Sequence, residues 1–159
     1  MLTQEQIEMV WKRNIGAETR SLYFADLGSR YSGRKQLITG LSFFLSSGAA
    51  ASLAAKLPAW LPLALSVVVA ILTAYVMALG LDKKVQTMAK LHHSWDGIHM
   101  GYETLWNHAY EDDSEATFEN LLIRERDLSV LAVTDAPNDQ RLLGEWQDRV
   151  LRQYDLQKA

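Results

Sequence analysis

The chain has no cysteine, only three prolines, and two long stretches without a single charged residue. The lack of cysteine excludes disulfides and a thiol nucleophile, and it fits a bulk that faces the cytoplasm. A phosphate-binding glycine loop and a G-x-S-x-G elbow are also missing. The reading is therefore a non-enzyme, with no catalytic residue and no cofactor. A net charge of −3, with no basic patch beyond the flanks of the apolar runs, gives no case for direct nucleic-acid binding.

What is present is concentrated apolar sequence. One uncharged run covers Leu37–Ala55 and a second Leu57–Leu81, with Lys56 alone between them. Each is long enough to cross a hydrocarbon core of about 30 Å at about 1.5 Å per helical residue. The mean hydropathy of −0.09 and the 22% of charged residues conceal this. They average an apolar middle with polar ends, ten charges in residues 1–35 and twenty-four in residues 82–159. A soluble bundle would have to enclose two helices apolar on every side, and the rest of the chain is too short and polar for that. A cleaved signal peptide is disfavoured because a long charged segment precedes Leu37. The expected class is all-α: an integral membrane two-helix transmembrane hairpin carrying a cytoplasmic helical bundle or coiled segment.

Arg30, Arg34 and Lys35 precede the first run and Lys83, Lys84 and Lys90 follow the second. The positive-inside rule places both termini in the cytoplasm of a bacterial inner membrane, and the turn Lys56 to Pro62 on the far side. Trp60 suits that far interface. Pro62 suits the first turn of the second span, where a missing N–H costs nothing. The expected organisation is an amphipathic helix in residues 1–35 and a hairpin in 36–82, with spans at about 37–55 and 59–81. A cytoplasmic region fills 83–159, with a long helix at 83–109 and shorter helices at about 115–132 and 138–156.

The polar residues of the spans are small. Thr39, Ser42, Ser46 and Ala49 share one face of the first, and Ser66, Ala70, Thr73 and Met77 form a stripe on the second. Such faces allow close helix packing in lipid, or line a weakly polar conduit in an oligomer. Thr39, Ser42, Ser46, Ser66 and Thr73 are the candidate membrane-face and oligomer contacts.

Beyond the second span, Val85, Met88, His92, Trp95, His99, Tyr102, Trp106 and Ala109 alternate spacings of three and four. That period of 3.5 marks a helix packed along a partner. No proline interrupts Leu63 to Ala109, so the spacing predicts one rod of about 70 Å. His92, Trp95, His99, Tyr102 and Trp106 are its candidate seam. The partner is the amino-terminal helix, which starts at a Thr3/Gln6 capping box and carries a stripe of Ile7, Val10, Trp11 and Ile15. A hairpin returns the chain to the same membrane face, so antiparallel pairing is the economical arrangement. A helix lying on lipid headgroups is the alternative for residues 3–30.

Ser114 is expected to cap a helix with Phe118, Leu121, Leu122 and Leu128 apolar, and a last helix carries Leu142, Leu143, Trp146, Val150 and Tyr154. His92, Asp96, His99 and Glu103 lie on one helical face, where adjacent members can chelate a metal. His92 and His99 are also seam positions, where an imidazole ordinarily hydrogen-bonds across the bundle, so no metal is assigned.

The segment "SLYFADLGSRYSGRKQL", the tight pair of apolar runs and the helix "DKKVQTMAKLHHSWDGIHMGYETLWNHA" resemble the SLATT proteins over roughly residues 3–130. These are two-transmembrane bacterial proteins with a cytoplasmic coiled segment, associated with antiphage systems. The resemblance implies a pore-forming or membrane-disrupting effector of abortive-infection type, a homo-oligomer triggered or released by a cytoplasmic sensor partner. A non-conducting anchor or scaffold for a cytoplasmic partner, and a holin-like lysis protein, are the alternative readings.

Overall fold

A computed structural model describes residues 1–55, 58 and 60–157 of the chain, and every element among them is helical. Five α-helices follow in order: α1 (Gln4–Ala54), α2 (Trp60–Leu79), α3 (Leu81–Asn107), α4 (Ser114–Asp135) and α5 (Gln140–Gln157). They form two compact units, one of residues 28–86 and one of residues 1–27 with 87–159.

α1 starts at the expected capping box. The Thr3 N–H donates to Gln6 Oε1 at 2.7 Å, and the Gln6 N–H returns the bond to Thr3 Oγ1 at 3.3 Å. No proline follows before Pro58, so nothing removes a ladder hydrogen bond and the helix runs for 51 residues. The amphipathic helix and the first apolar run are therefore one element. The units divide at 27/28 and 86/87, instead of at the expected 35/36 and 82/83. The turns flanking the apolar runs stay paired with each other: Lys35 makes an ion pair with Asp82, and Lys84 Nζ lies 5.7 Å from the Tyr31 ring centroid.

In the unit of residues 28–86, α2 meets the second half of α1 through Pro62, Leu65, Val69, Leu72 and Val76, the half-buried or buried positions of α2 at spacings of three and four. A side chain added at Gly48 would meet Leu65 Cδ1 at 3.9 Å. Pro62 is buried in the first turn of α2, as its missing donor predicts. Leu61 N–H donates to Pro58 O at 3.0 Å. The rest of the expected far-side turn, at Lys56, Leu57 and Ala59, lies outside the described residues.

The rod expected from Leu63 to Ala109 is divided. Gly80 takes φ +56° between α2 and α3, a left-handed conformation that costs any residue with a Cβ about 1–2 kcal/mol. Gly80→Ala is expected to lower stability by about 1 kcal/mol. Gly80→Asn should lose less, since asparagine tolerates this region. Denaturant titration of the detergent-solubilised chain, followed by circular dichroism, measures both.

The second unit is a four-helix bundle of the first half of α1, most of α3, α4 and α5. Its core holds Val10, Ala17, Phe24, Met88, Leu91, Trp95, Ile98, Tyr102, Leu105, Phe118, Leu121, Leu142 and Val150. Ser114 does not cap α4. Its hydroxyl donates backwards to His108 O at 2.6 Å and Glu111 O at 2.8 Å. Both carbonyls also accept backbone N–H groups, from Glu111 at 3.0 Å and Ser114 at 3.3 Å, so the hydroxyl tightens the turn between α3 and α4, while Asp113 holds the N-cap position without a side-chain bond. Asp139 caps α5 through Leu142 N–H at 3.1 Å.

Candidate functional site

Two features set this molecule apart from an ordinary helical bundle. The first is the outer surface of the unit of residues 28–86. The helical stretch beginning at Trp60 holds an 18-residue window of mean hydropathy 2.4, none of it buried. It is the one helix among the described residues that is long and apolar enough to cross a membrane. On α1, Phe43 and Phe44 are 75% and 74% exposed, and on α2 Met77 is 78% exposed. Contiguous apolar exposure on this scale marks a surface meant for lipid or another protein.

The small-residue positions divide on this surface. Ser42 and Ala49 turn inward with the half-buried positions of α1, whereas Thr39, Ser46, Ser66, Ala70 and Thr73 lie outside. The α1–α2 contact on α2 runs through Leu65, Val69 and Leu72, so the Ser66/Thr73 stripe takes no part in it. Its hydroxyls are satisfied locally: Ser46 donates to Ser42 O at 2.8 Å, Ser66 to Pro62 O at 2.8 Å, and Thr73 to Val69 O at 2.9 Å. A hydroxyl bonded to the carbonyl one turn back leaves no bare donor, so these faces are compatible with an apolar surrounding.

The second feature is a polar network inside the bundle. α1 and α3 run antiparallel and are joined by two polar rungs: His99 Nδ1 lies 2.8 Å from Asn14 Oδ1, and His92 Nδ1 lies 3.0 Å from both Ser21 Oγ and Ser21 O. The rungs are seven residues apart on both helices, which is the heptad repeat read from the sequence. The expected seam positions Met88, Trp95, Tyr102 and Ala109 are buried, and the alternate positions shift by one, from His92, His99 and Trp106 to Leu91, Ile98 and Leu105. The most deeply buried line of α3 is thus Met88, Leu91, Trp95, Ile98, Tyr102 and Leu105, with Ala109 just past its end. His92, His99 and Trp106 flank this line. Imidazoles can reach α1 from the flank without stranding polar atoms in the centre. Trp106 is 42% exposed and stands 5.3 Å from Trp11, which meets Tyr154 edge-on at 4.9 Å. Trp95 and Tyr102 are 0% exposed within one chain, so they form intrachain core and present no surface for assembly. Among the described residues, no three His, Asp or Glu side chains are arranged to hold a metal ion.

The centre of the network is Glu125 of α4. This carboxylate is 8% exposed. It accepts from Arg13 Nη1 at 2.8 Å, Tyr102 OH at 2.8 Å and Arg20 Nη1 at 3.3 Å. Arg20 also lies over the Trp95 ring, 4.7 Å from its centroid. The signal was present: Phe118, Leu121, Glu125 and Leu128 follow one another at spacings of three and four, so Glu125 is a charge within an apolar stripe. Arg13 and Arg20, seven apart on α1, are its complement.

Burial raises the Tyr102 phenol above its ordinary range, reinforced by its hydrogen bond to the Glu125 carboxylate. Burial tends to lower Arg13, but its bond and attraction to Glu125 outweigh this and raise it. Tyr154 is likewise raised, by burial first and then by Glu18. A group raised on folding contributes stability that is complete below its unfolded pKa and is lost as pH climbs through the folded value. Stability is therefore expected to hold up to about pH 10 and to fall above it. In denaturant midpoints measured from pH 8 to 12, Tyr102→Phe should flatten this alkaline decline.

Comparison with protein-family models, with curated proteins and with solved structures gives no match for this chain.

Proposed function

We propose that this chain is a two-span membrane effector of a bacterial antiphage system, in keeping with the resemblance to SLATT proteins. In this reading the second half of α1 and the whole of α2 cross the inner membrane as a hairpin, with both termini cytoplasmic. Several copies assemble to depolarise the membrane when a cytoplasmic sensor releases them. One observation carries the reading: the Thr39/Ser46 and Ser66/Thr73 positions stay on the outside of the helix pair with their hydroxyls satisfied. One hairpin cannot enclose a conduit, so permeability needs a contact between copies, and small residues are what close helix approach in lipid requires. α1 passes from the bundle into the apolar segment without a break, so a change in the bundle has a helical route to the span.

Membrane potential after induced expression in bacteria tests this. Rapid depolarisation is expected, and Thr39→Leu with Ser46→Leu should abolish it while leaving the protein in the membrane fraction. These two positions are exposed, so the substitutions spare the α1–α2 contact. An intact potential with the full chain in the membrane would overturn the effector reading in favour of a non-conducting anchor, the alternative that the large, internally closed bundle supports.

A further inference from the structure

In the bundle unit, a cavity of about 230 Å³ opens where the turn between α4 and α5 passes α1 and α3. Arg20, Tyr23, Phe24, Trp95, Val133 and Pro137 are among its walls. An apolar cavity of about 150 Å³ is enough to hold benzene, so this one has space for a single ring and one substituent. The walls are mainly aromatic and aliphatic, which suits the body of such a ligand.

The polar groups around it decide the substituent. The Tyr23 hydroxyl is already committed, donating to Pro137 O at 2.6 Å and accepting from Asp139 N–H at 3.1 Å. The Ser129 hydroxyl donates to Glu125 O at 2.8 Å. The Trp95 indole N–H is buried and has no acceptor among the described residues. Trp95 is fully buried, so this N–H is out of reach of a ligand and serves as a reporter beside the cavity. Arg20 is the donor on the wall. Its bond to Glu125, at 3.3 Å, is longer than the 2.8 Å bond from Arg13. Two guanidinium groups face one carboxylate, so the cluster is one positive charge in excess and an anion would balance it.

We propose that this cavity is a binding site for a compact aromatic carboxylate, with Arg20 holding the carboxylate and the ring lying among Tyr23, Phe24, Val133 and Pro137. The site lies wholly within the bundle and is independent of the membrane reading. Its ligand would tie the α4–α5 turn to α1 and α3.

Benzoate is the probe. The full-length chain in detergent micelles is titrated while the Trp95 indole N–H resonance is followed, assigned by its loss in Trp95→Phe. A saturable shift is expected, with a dissociation constant on the order of a millimolar for so small a ligand. Benzyl alcohol, which has the ring without the charge, should bind roughly tenfold more weakly, as should benzoate to Arg20→Gln. Ala132 is a further wall residue, and Ala132→Leu, which fills the cavity, should abolish the shift. If Arg20→Gln unfolds, the comparison with benzyl alcohol carries the charge test alone. No saturable shift in the native chain, or an undiminished shift in Ala132→Leu, would overturn the proposal. Equal binding of benzyl alcohol and benzoate would overturn the carboxylate assignment.

Discussion

Glu125→Ala is expected to destabilise the bundle by about 3 kcal/mol, the lower end of the range for breaking a buried ion pair. The lower end applies because the Arg13 and Arg20 side chains are 38% and 41% exposed and can partly rehydrate once the carboxylate is gone. What cannot rehydrate is the Tyr102 hydroxyl, on a fully buried residue. Losing the common acceptor therefore strands a donor on α3 and releases two cations on α1. Glu125→Gln keeps an acceptor oxygen and loses the charge, so its cost should be smaller, about 1–2 kcal/mol. Tyr102→Phe removes donor and need together and should cost about 1 kcal/mol. Denaturant unfolding of the three variants in detergent gives the order. Equal effects for Glu125→Ala and Tyr102→Phe would mean that the arginines contribute nothing to the hub. Against a total stability of about 5–15 kcal/mol for a domain, the alanine variant is the one expected to melt near growth temperature.

Trp95→Ala is expected to cost about 3–5 kcal/mol, the range for deleting a large aromatic from a packed core. Trp95 is fully buried and also supports the Arg20 guanidinium on its face, so the deletion opens a cavity and loosens one arm of the hub. The instructive comparison lies along the same helix. Leu91→Ala and Ile98→Ala remove side chains from the fully buried line of α3 and should each cost about 2–4 kcal/mol. Trp106→Ala removes a larger residue from the flank, where 42% of it already meets solvent, and should cost only about 1 kcal/mol. Thermal melts of the four variants would separate a core at positions 91, 95 and 98 from one centred on 92, 99 and 106. Should Trp106→Ala prove the most damaging, the aromatic contact with Trp11 and Tyr154 would be the true anchor of the bundle.

Much of this architecture was legible because it rests on local chemistry. The capping box at Thr3 and Gln6, proline in the first turn of α2, and breaks near residues 110 and 137 depend on a few adjacent residues and the hydrogen bonds they gain or forgo. The heptad period on α3 was legible for the same reason: a helix packed along a partner repeats every 3.5 residues whatever the partner is.

Only half of that repeat's positions were legible: Met88, Trp95, Tyr102 and Ala109 are buried as expected, and the alternate ones are not the ones predicted. Val85, Met88, His92 and Trp95 satisfy the spacing of three and four, and so do Met88, Leu91, Trp95 and Ile98. Only the packing of α4 on α3, with Leu121 Cδ2 2.7 Å from where a Cβ on Gly101 would stand, settles which line faces inward. The spacing predicts a rod unbroken at Gly80, because a glycine in sequence does not announce a positive φ. Glu125 escaped notice because a lone carboxylate in an apolar stripe gains its meaning from Arg13 and Arg20, more than a hundred residues earlier.

The sequence by itself determined that the protein is helical and where α1 starts; of the two spans it predicts, one lies in a helix long and apolar enough for a bilayer. These follow from hydrogen bonding and solvation acting over a few turns. The tertiary structure alone decided which face of α3 is core, which hydroxyls of α1 and α2 stay on the outside, and that a buried carboxylate joins three helices. Those depend on side chains distant in sequence meeting at distances of about 3 Å, where direction and complementarity count.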